Sequence, residues 1–130
     1  MRLLLDTHIF LWYITGDPRL PNTPLQLIRE SSNDVYLSVV SVWEVLVKYQ
    51  LGRLSLPQPP IHYVPQQRER HRIASLRLDE ESVAKLPELP HLHRDPFDRM
   101  LLCQANRHGL TLVSADEAIR TYADFVSIIP

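Results

Sequence analysis

Residues 95–116 read DPFDRMLLCQANRHGLTLVSAD, and this stretch decides the fold. Pro96 takes the first position of a helix behind Asp95, whose side chain suits an N-cap, and Gly109 stands just past the end, where a left-handed residue closes the last turn. The helix runs straight into a short strand, LTLV, and a second helix begins within SADEAIRTY. Helix, strand and helix in direct succession are the units of a parallel sheet covered on both faces, because parallel strands need crossovers and these are usually helical.

The same alternation continues outward. Residues 2–5 (RLLL) form a buried strand cut off by Asp6, and THIFLWYIT forms a buried helix stopped at Gly16. A second helix is expected over Leu25 to Ser31. Asp34 leads into the β-branched strand VYLSVV, and SVWEVLVKYQLGRL is a helix ending at Gly52. LPQPP is a stiff loop. In the middle, IHYVPQQRERHR is expected to turn helical after Pro65, IASLRL is a short strand, and Leu78 to Leu86 is a small helix. Asp79, Glu80 and Glu81 lie in its first turn, where acids complement the helix dipole. PELPHLHRDP is an irregular loop, and FVSII is the last strand. No repeat or low-complexity segment interrupts the pattern.

With 130 residues, 45% hydrophobic and 22% charged, the chain is expected to form a single soluble domain spanning residues 1–130. Its one cysteine, Cys103, lies in an apolar run, which excludes an internal disulfide framework and fits a reducing compartment. Neither a signal peptide nor a membrane span is legible, so a cytoplasmic location is expected. A net charge of −1 supplies no global basic field, so attraction for a polyanion must come from a local patch or from bound cations.

Acids punctuate this frame. Asp6 sits between a strand and a helix, as an N-cap does, but also at the carboxyl end of a strand, where open parallel sheets bind ligands. Both readings stand. Glu44 interrupts the apolar run VVSVWEVLV and needs a partner there, which Lys48, four residues on, is placed to provide. Asp95 caps its helix; Asp98, three positions later, is placed to bond back to the cap, and Arg94 and Arg99 to neutralise both. Ser114 and Glu117 fit a capping box, which leaves Asp116 without a structural task. Taken jointly, Asp6, Glu44, Asp98 and Asp116 can converge at one sheet edge, where their charges would raise each other's pKa unless a cation intervened. Oxygen ligands without clustered histidine or cysteine suit Mg²⁺ or Mn²⁺, ions that activate water and stabilise charge developing on a phosphate.

LLLDTH, SVWE with KYQLGRL behind it, HRDPFDRMLLCQA and LVSAD together resemble the PIN-domain family, and within it the VapC-type toxins of toxin–antitoxin pairs. No single motif is specific, but the set is, and it extends over nearly the whole chain. The resemblance implies a three-layer α/β/α sandwich around a mostly parallel sheet and a Mg²⁺- or Mn²⁺-dependent endoribonuclease. It further implies RNA as substrate, a cognate antitoxin as partner, and a homodimer. Asp6, Glu44, Asp98 and Asp116 match the family's catalytic, metal-holding acids; Thr7 and Ser114 match its small hydroxyl positions. Asp95, in the DPFDR variant of the third motif, ranks behind Asp98 as an auxiliary ligand.

Lys48, Arg94 and Arg99 are the candidates for phosphate contacts. His8 departs from the asparagine or serine of many members and is read as a packing residue of its apolar helix. RERHR at 68–72 is read as a solvated helix face, while His91 and His93 lack further ligands nearby in sequence and are set aside. Two other functions fit parts of the pattern. An aspartyl phosphatase needs a second acid two residues after Asp6, where His8 stands. A non-catalytic binding module would act through a protein partner, for which Trp12, Trp43, Tyr49 and KYQLGRL offer surface.

Overall fold

A computed structural model describes residues 1–130. Its strands are β1 (Arg2–Leu5), β2 (Asp34–Ser38), β3 (Ala74–Leu76), β4 (Thr111–Val113) and β5 (Ile128–Ile129), paired in parallel in the order β3-β2-β1-β4-β5. The helices are α1 (Thr7–Thr15), α2 (Asn22–Arg29), α3 (Val39–Gln50), α4 (Pro60–Arg70), α5 (Glu80–Val83), α6 (Pro96–His108) and α7 (Glu117–Arg120), with a 3-10 turn at Leu86–Glu88.

The layers follow from the pleat of β1. Successive side chains of a strand point to opposite faces. Leu3 and Leu5 therefore pack with Ile9 and Phe10 of α1, Ile28 of α2 and Val64 of α4, whereas Leu4 packs with Leu101, Leu102 and Ala105 of α6 and Ile119 of α7. These two apolar clusters, one on each side of the sheet, make the expected α/β/α sandwich.

Chain order sets the position of the site. From β1 the sheet grows outward through β2 to β3; α6 then carries the chain back to the other side of β1 for β4 and β5. β1 and β4 are neighbours whose following segments diverge. The crevice beyond their carboxyl ends is the switch point at which open α/β sheets bind ligands.

Capping explains the sharp ends. The Asp95 carboxylate accepts from the N–H groups of Phe97 and Asp98 at 2.9 and 3.1 Å, and Gly109, at φ 63°, closes α6 with its N–H on the Ala105 carbonyl. Four helices differ from expectation. α3 begins at Val39, capped by Ser38, so the last two residues of VYLSVV belong to the helix. The expected Leu78–Leu86 helix is reduced to Glu80–Val83. α2 begins at Asn22 rather than Leu25, and α4 begins at Pro60, with Pro65 inside it rather than before it. Pro60 supplies the first-position proline, and Pro65 lies on the exposed side of the helix. No helix is long and apolar enough to cross a membrane.

Candidate active site

β1 ends at Leu5, so Asp6 caps α1 at the floor of the crevice. Asp6 Oδ1 accepts from the Thr7 N–H at 2.7 Å, and Oδ2 accepts from the Ser114 hydroxyl, just past β4, at 2.8 Å. The cap and ligand readings of this residue are thus compatible, since hydrogen bonds orient the carboxylate without consuming all its lone pairs. Thr7 turns its own hydroxyl across to α3, where it lies 2.7 Å from Glu44 Oε1 and 2.9 Å from Ser41 Oγ. The other oxygen of Glu44 pairs with Lys48, one turn along α3. The hydroxyls of Thr7 and Ser114 therefore tie three elements together around two buried acids.

Asp98 enters from the first turn of α6 and Asp116 from the start of α7. Asp98 does not bond back to the cap of its helix, as the capping-box pattern suggested. Its Oδ2 lies 2.8 Å from His93 Nε2 instead, while Asp95 alone caps α6. Asp116 is likewise reassigned: it is itself the N-cap of α7, accepting from the Ala118 N–H at 2.9 Å, while the Ser114 hydroxyl donates to Asp6 and its oxygen accepts from the Asp116 N–H at 3.1 Å. Of the acids, Asp6, Glu44 and Asp98 are buried at 3%, 2% and 8% exposure, and Asp116 faces solvent at the mouth.

Burying carboxylates this close together is costly. Burial pushes Asp98 up to about 7 from its ordinary 3.8; the His93 hydrogen bond pulls the other way, but Asp6, Asp95 and Glu44 add repulsion. Burial also raises Asp6, outweighing the Ser114 hydrogen bond, the nearby His8 and the Thr7 N–H. Burial works against the charge of Lys48, yet its hydrogen bond to Glu44 and the charges of Glu44, Asp95 and Asp98 hold its pKa above the usual lysine value. One ammonium among so many carboxylates leaves negative charge uncompensated, and the donor set fits a hard divalent cation. Asp98, Asp116 and His93 each offer a ligand atom within 4.8 Å of the others.

His93 is the functional candidate that sequence reasoning set aside. The signal was its place in HLHRDPFD, five residues before Asp98, but a loop histidine has no periodicity to say where it points. Arg99 moves the other way. Its guanidinium is buried, reaching the carbonyls of Pro90 and His93 at 3.2 Å each and the Tyr122 hydroxyl, so it braces the 90–93 loop and is not offered to a phosphate. Lys48 pairs with Glu44, and Arg94 is exposed. His8 is exposed rather than packed, since Ile9 and Phe10 occupy the buried face of α1. Trp43 is 58% exposed and meets Phe97 edge-on at 4.8 Å, beside Glu44 and Asp98 in sequence.

Residues 3–124 match the PIN domain family, and the chain belongs to it. Ribonuclease VapC22 of Mycobacterium tuberculosis (strain ATCC 25618 / H37Rv) is 26% identical over 121 residues, covering 92% of this chain and 91% of that one. Ribonuclease VapC16 of the same strain is 32% identical over 63 residues, a match covering 48% of this chain and 45% of the relative's length. Among solved structures, VapBC2 from Rickettsia felis bound to a DNA fragment from their promoter superposes with a TM-score of 0.71 at 15% identity, over 99% of this chain and 98% of that one. The shared feature is the fold.

Proposed function

We propose that residues 1–130 act as one PIN domain that cuts RNA internally in a divalent-metal-dependent reaction, and that the protein is the toxin of a toxin–antitoxin pair. The observation that carries this reading is the gathering of buried Asp6, Glu44 and Asp98 with Asp116 at the sheet's switch point, with too little positive charge to balance them. The names of the two ribonuclease relatives support RNA as substrate.

Asp6, Asp98 and Asp116 would hold Mg²⁺ or Mn²⁺, with Glu44 supporting from α3 and Asp95 and His93 auxiliary. Bound there, such an ion lowers the pKa of a water molecule and offsets charge developing on the phosphate. The chain's own groups prepare the site. Ser114 and the Thr7 N–H fix both oxygens of Asp6; the Thr7 hydroxyl and Lys48 fix those of Glu44; Asp95 sets the start of α6 and hence the position of Asp98. Rigid, pre-oriented ligands of this kind lower the reorganisation needed when charge develops. Lys48 and the exposed Arg94 are the proposed phosphate contacts.

We further infer a cytoplasmic homodimer held inactive by a cognate antitoxin. Exposed Trp43 and Leu51, on and just after α3, favour a protein partner on this side of the domain. Acting only as a binding module is the competing reading, and it predicts the same surface without turnover. The deciding experiment is cleavage of a mixed structured RNA by partner-free protein in Mn²⁺, Mg²⁺ and EDTA, with Asp6→Asn alongside. Metal-dependent cutting lost in the variant is expected. No cutting together with no Mn²⁺ binding would leave the binding module as the better reading.

A further inference from the structure

We propose that His8, Trp12 and Arg19 form a subsite beside the acids that holds one nucleotide of single-stranded RNA, its base against the His8–Trp12 rings and its phosphate on Arg19. This rests on the nuclease reading above and names how that site takes its substrate.

A cleft of about 280 Å³ opens at the carboxyl edge of the sheet. Asp6, Ala115 and Asp116 line it together with His8, Trp12 and Arg19. It is therefore continuous with the acids. His8 and Trp12 stand one turn apart on the same face of α1, with ring centroids 6.1 Å apart and planes tilted by 49°. Helix α1 buries Ile9 and Phe10 on its other side, so this face is left to the cleft.

Arg19 is brought there by a built turn. Gly16, at φ 65°, ends α1, and the Asp17 N–H returns to the Trp12 carbonyl at 2.9 Å. The Asp17 carboxylate then accepts from the Arg19 N–H at 2.8 Å, from Nε at 3.1 Å and from Nη2 at 2.7 Å. These bonds hold the guanidinium with Cζ 5.2 Å from the centre of the Trp12 ring system and leave Nη1 without a protein partner. A surface arginine steered by an aspartate onto a tryptophan has lost much of its conformational freedom before any ligand arrives.

The chemistry matches one nucleotide. Nucleobases stack on aromatic and guanidinium planes whatever their sequence, and a free guanidinium N–H suits a phosphate oxygen. The cleft is just under the roughly 300 Å³ at which whole small-ligand pockets begin, which admits one splayed-out nucleotide and excludes a duplex. A cation is needed here because Asp6 and Asp116 repel RNA, and Arg19 is the sole arginine or lysine lining the cleft.

The chain contains two tryptophans, so Trp43→Phe leaves Trp12 as the single indole reporter. A short single-stranded RNA of mixed sequence is titrated into this protein in EDTA at low salt, following emission, with double-stranded RNA and polyglutamate as comparison probes. Saturable quenching by single-stranded RNA alone is expected. Arg19→Ala and the exposed-site variant His8→Ala should each weaken it about tenfold, the size of one base stack. In the metal-loaded enzyme the same variants should raise KM by a similar factor with kcat near wild type. Trp12→Phe should retain binding that Trp12→Ala loses, at unchanged circular dichroism.

Cleavage with unaltered KM in Arg19→Ala and His8→Ala would overturn the subsite and leave the nuclease standing. Quenching by RNA without cleavage would keep the subsite and remove the nuclease. Equal quenching by polyglutamate would make this a protein-binding cleft and overturn the assignment, as would no quenching by any probe.

Discussion

The two edges of the sheet carry clefts of different character. At the amino edge, between the starts of β2 and β3 and the end of α2, lies the larger one, about 410 Å³, lined by Tyr13, Arg29, Glu30, Asp34, His71 and Arg72 among others. Its charges are of both signs, and its charged side chains reach water. The carboxyl edge offers only about 280 Å³ beside the acids, but there Asp6, Glu44 and Asp98 are buried close enough for their charges to repel, with the Lys48 ammonium paired to Glu44. Size does not mark the proposed site. Crowded, buried carboxylates do, because burying them together is costly unless a proton or something bound there offsets their charge.

The widest separation between the edges should appear in activity. Asp6→Asn and Asp98→Asn are expected to lower RNA cleavage about a hundredfold or more, since each removes a proposed metal ligand, whereas Arg72→Ala should leave the rate unchanged. Equal losses at both edges, measured in one cleavage assay, would erase the contrast.

Stability should separate next. Lys48→Met strands Glu44 without its charged partner and is expected to cost about 1–3 kcal/mol in urea unfolding, less than the roughly 3–5 kcal/mol of a fully buried pair because the lysine is partly solvated. Adding Glu44→Gln to that variant should recover most of the loss. A double variant no more stable than Lys48→Met would show that the pair matters by packing alone.

A pH series sharpens the electrostatic side. Asp98 titrates near 7 in the fold and near 3.8 when unperturbed, so between those values the folded protein keeps a proton that the unfolded chain has lost. The contribution of this group to stability is full below 3.8, falls as pH rises towards 7, and is flat above. Metal-free wild type should therefore lose ground to Asp98→Asn between about pH 4 and about pH 7 in urea midpoints. A constant difference over that window would mean that Asp98 is not held in its neutral form.

The smallest effect belongs to the amino edge. Arg72 follows α4 with φ 56°, a left-handed position at which a side chain is strained, and the Ile73 N–H bonds back to the Arg68 carbonyl as a helix stop requires. Arg72→Gly should raise stability by about 0.5–1 kcal/mol without changing cleavage. A loss of stability instead would mean that the arginine side chain serves the amino-edge cleft.

Much of this was legible in the chain, for identifiable reasons. Pro96 and Gly109 bound α6 through backbone rules that act within a few residues, and RLLL, LTLV and the first four residues of VYLSVV announce strands by composition. Val39 and Val40 instead begin α3, because Ser38 caps it. Asp6 and Asp116 could be placed at strand carboxyl ends once those strands were read. Such signals are local, and the local hydrogen bonding they describe survives in the fold. The sequence by itself thus determined the order of elements, the parallel sheet and the edge at which the acids gather.

The tertiary structure alone decided which side chains meet. Ser114 donates to Asp6 across 108 positions while accepting from the Asp116 N–H beside it, and Asp116 rather than Ser114 caps α7. His93 turns to Asp98, Arg99 turns inward to hold the loop carrying His93, and His8 turns outward into the cleft. The physical reason is the same in each case. A polar side chain has several partners of nearly equal worth within its own segment and beyond it, and only the packing of the two apolar layers brings one of them within hydrogen-bonding distance while taking the others away.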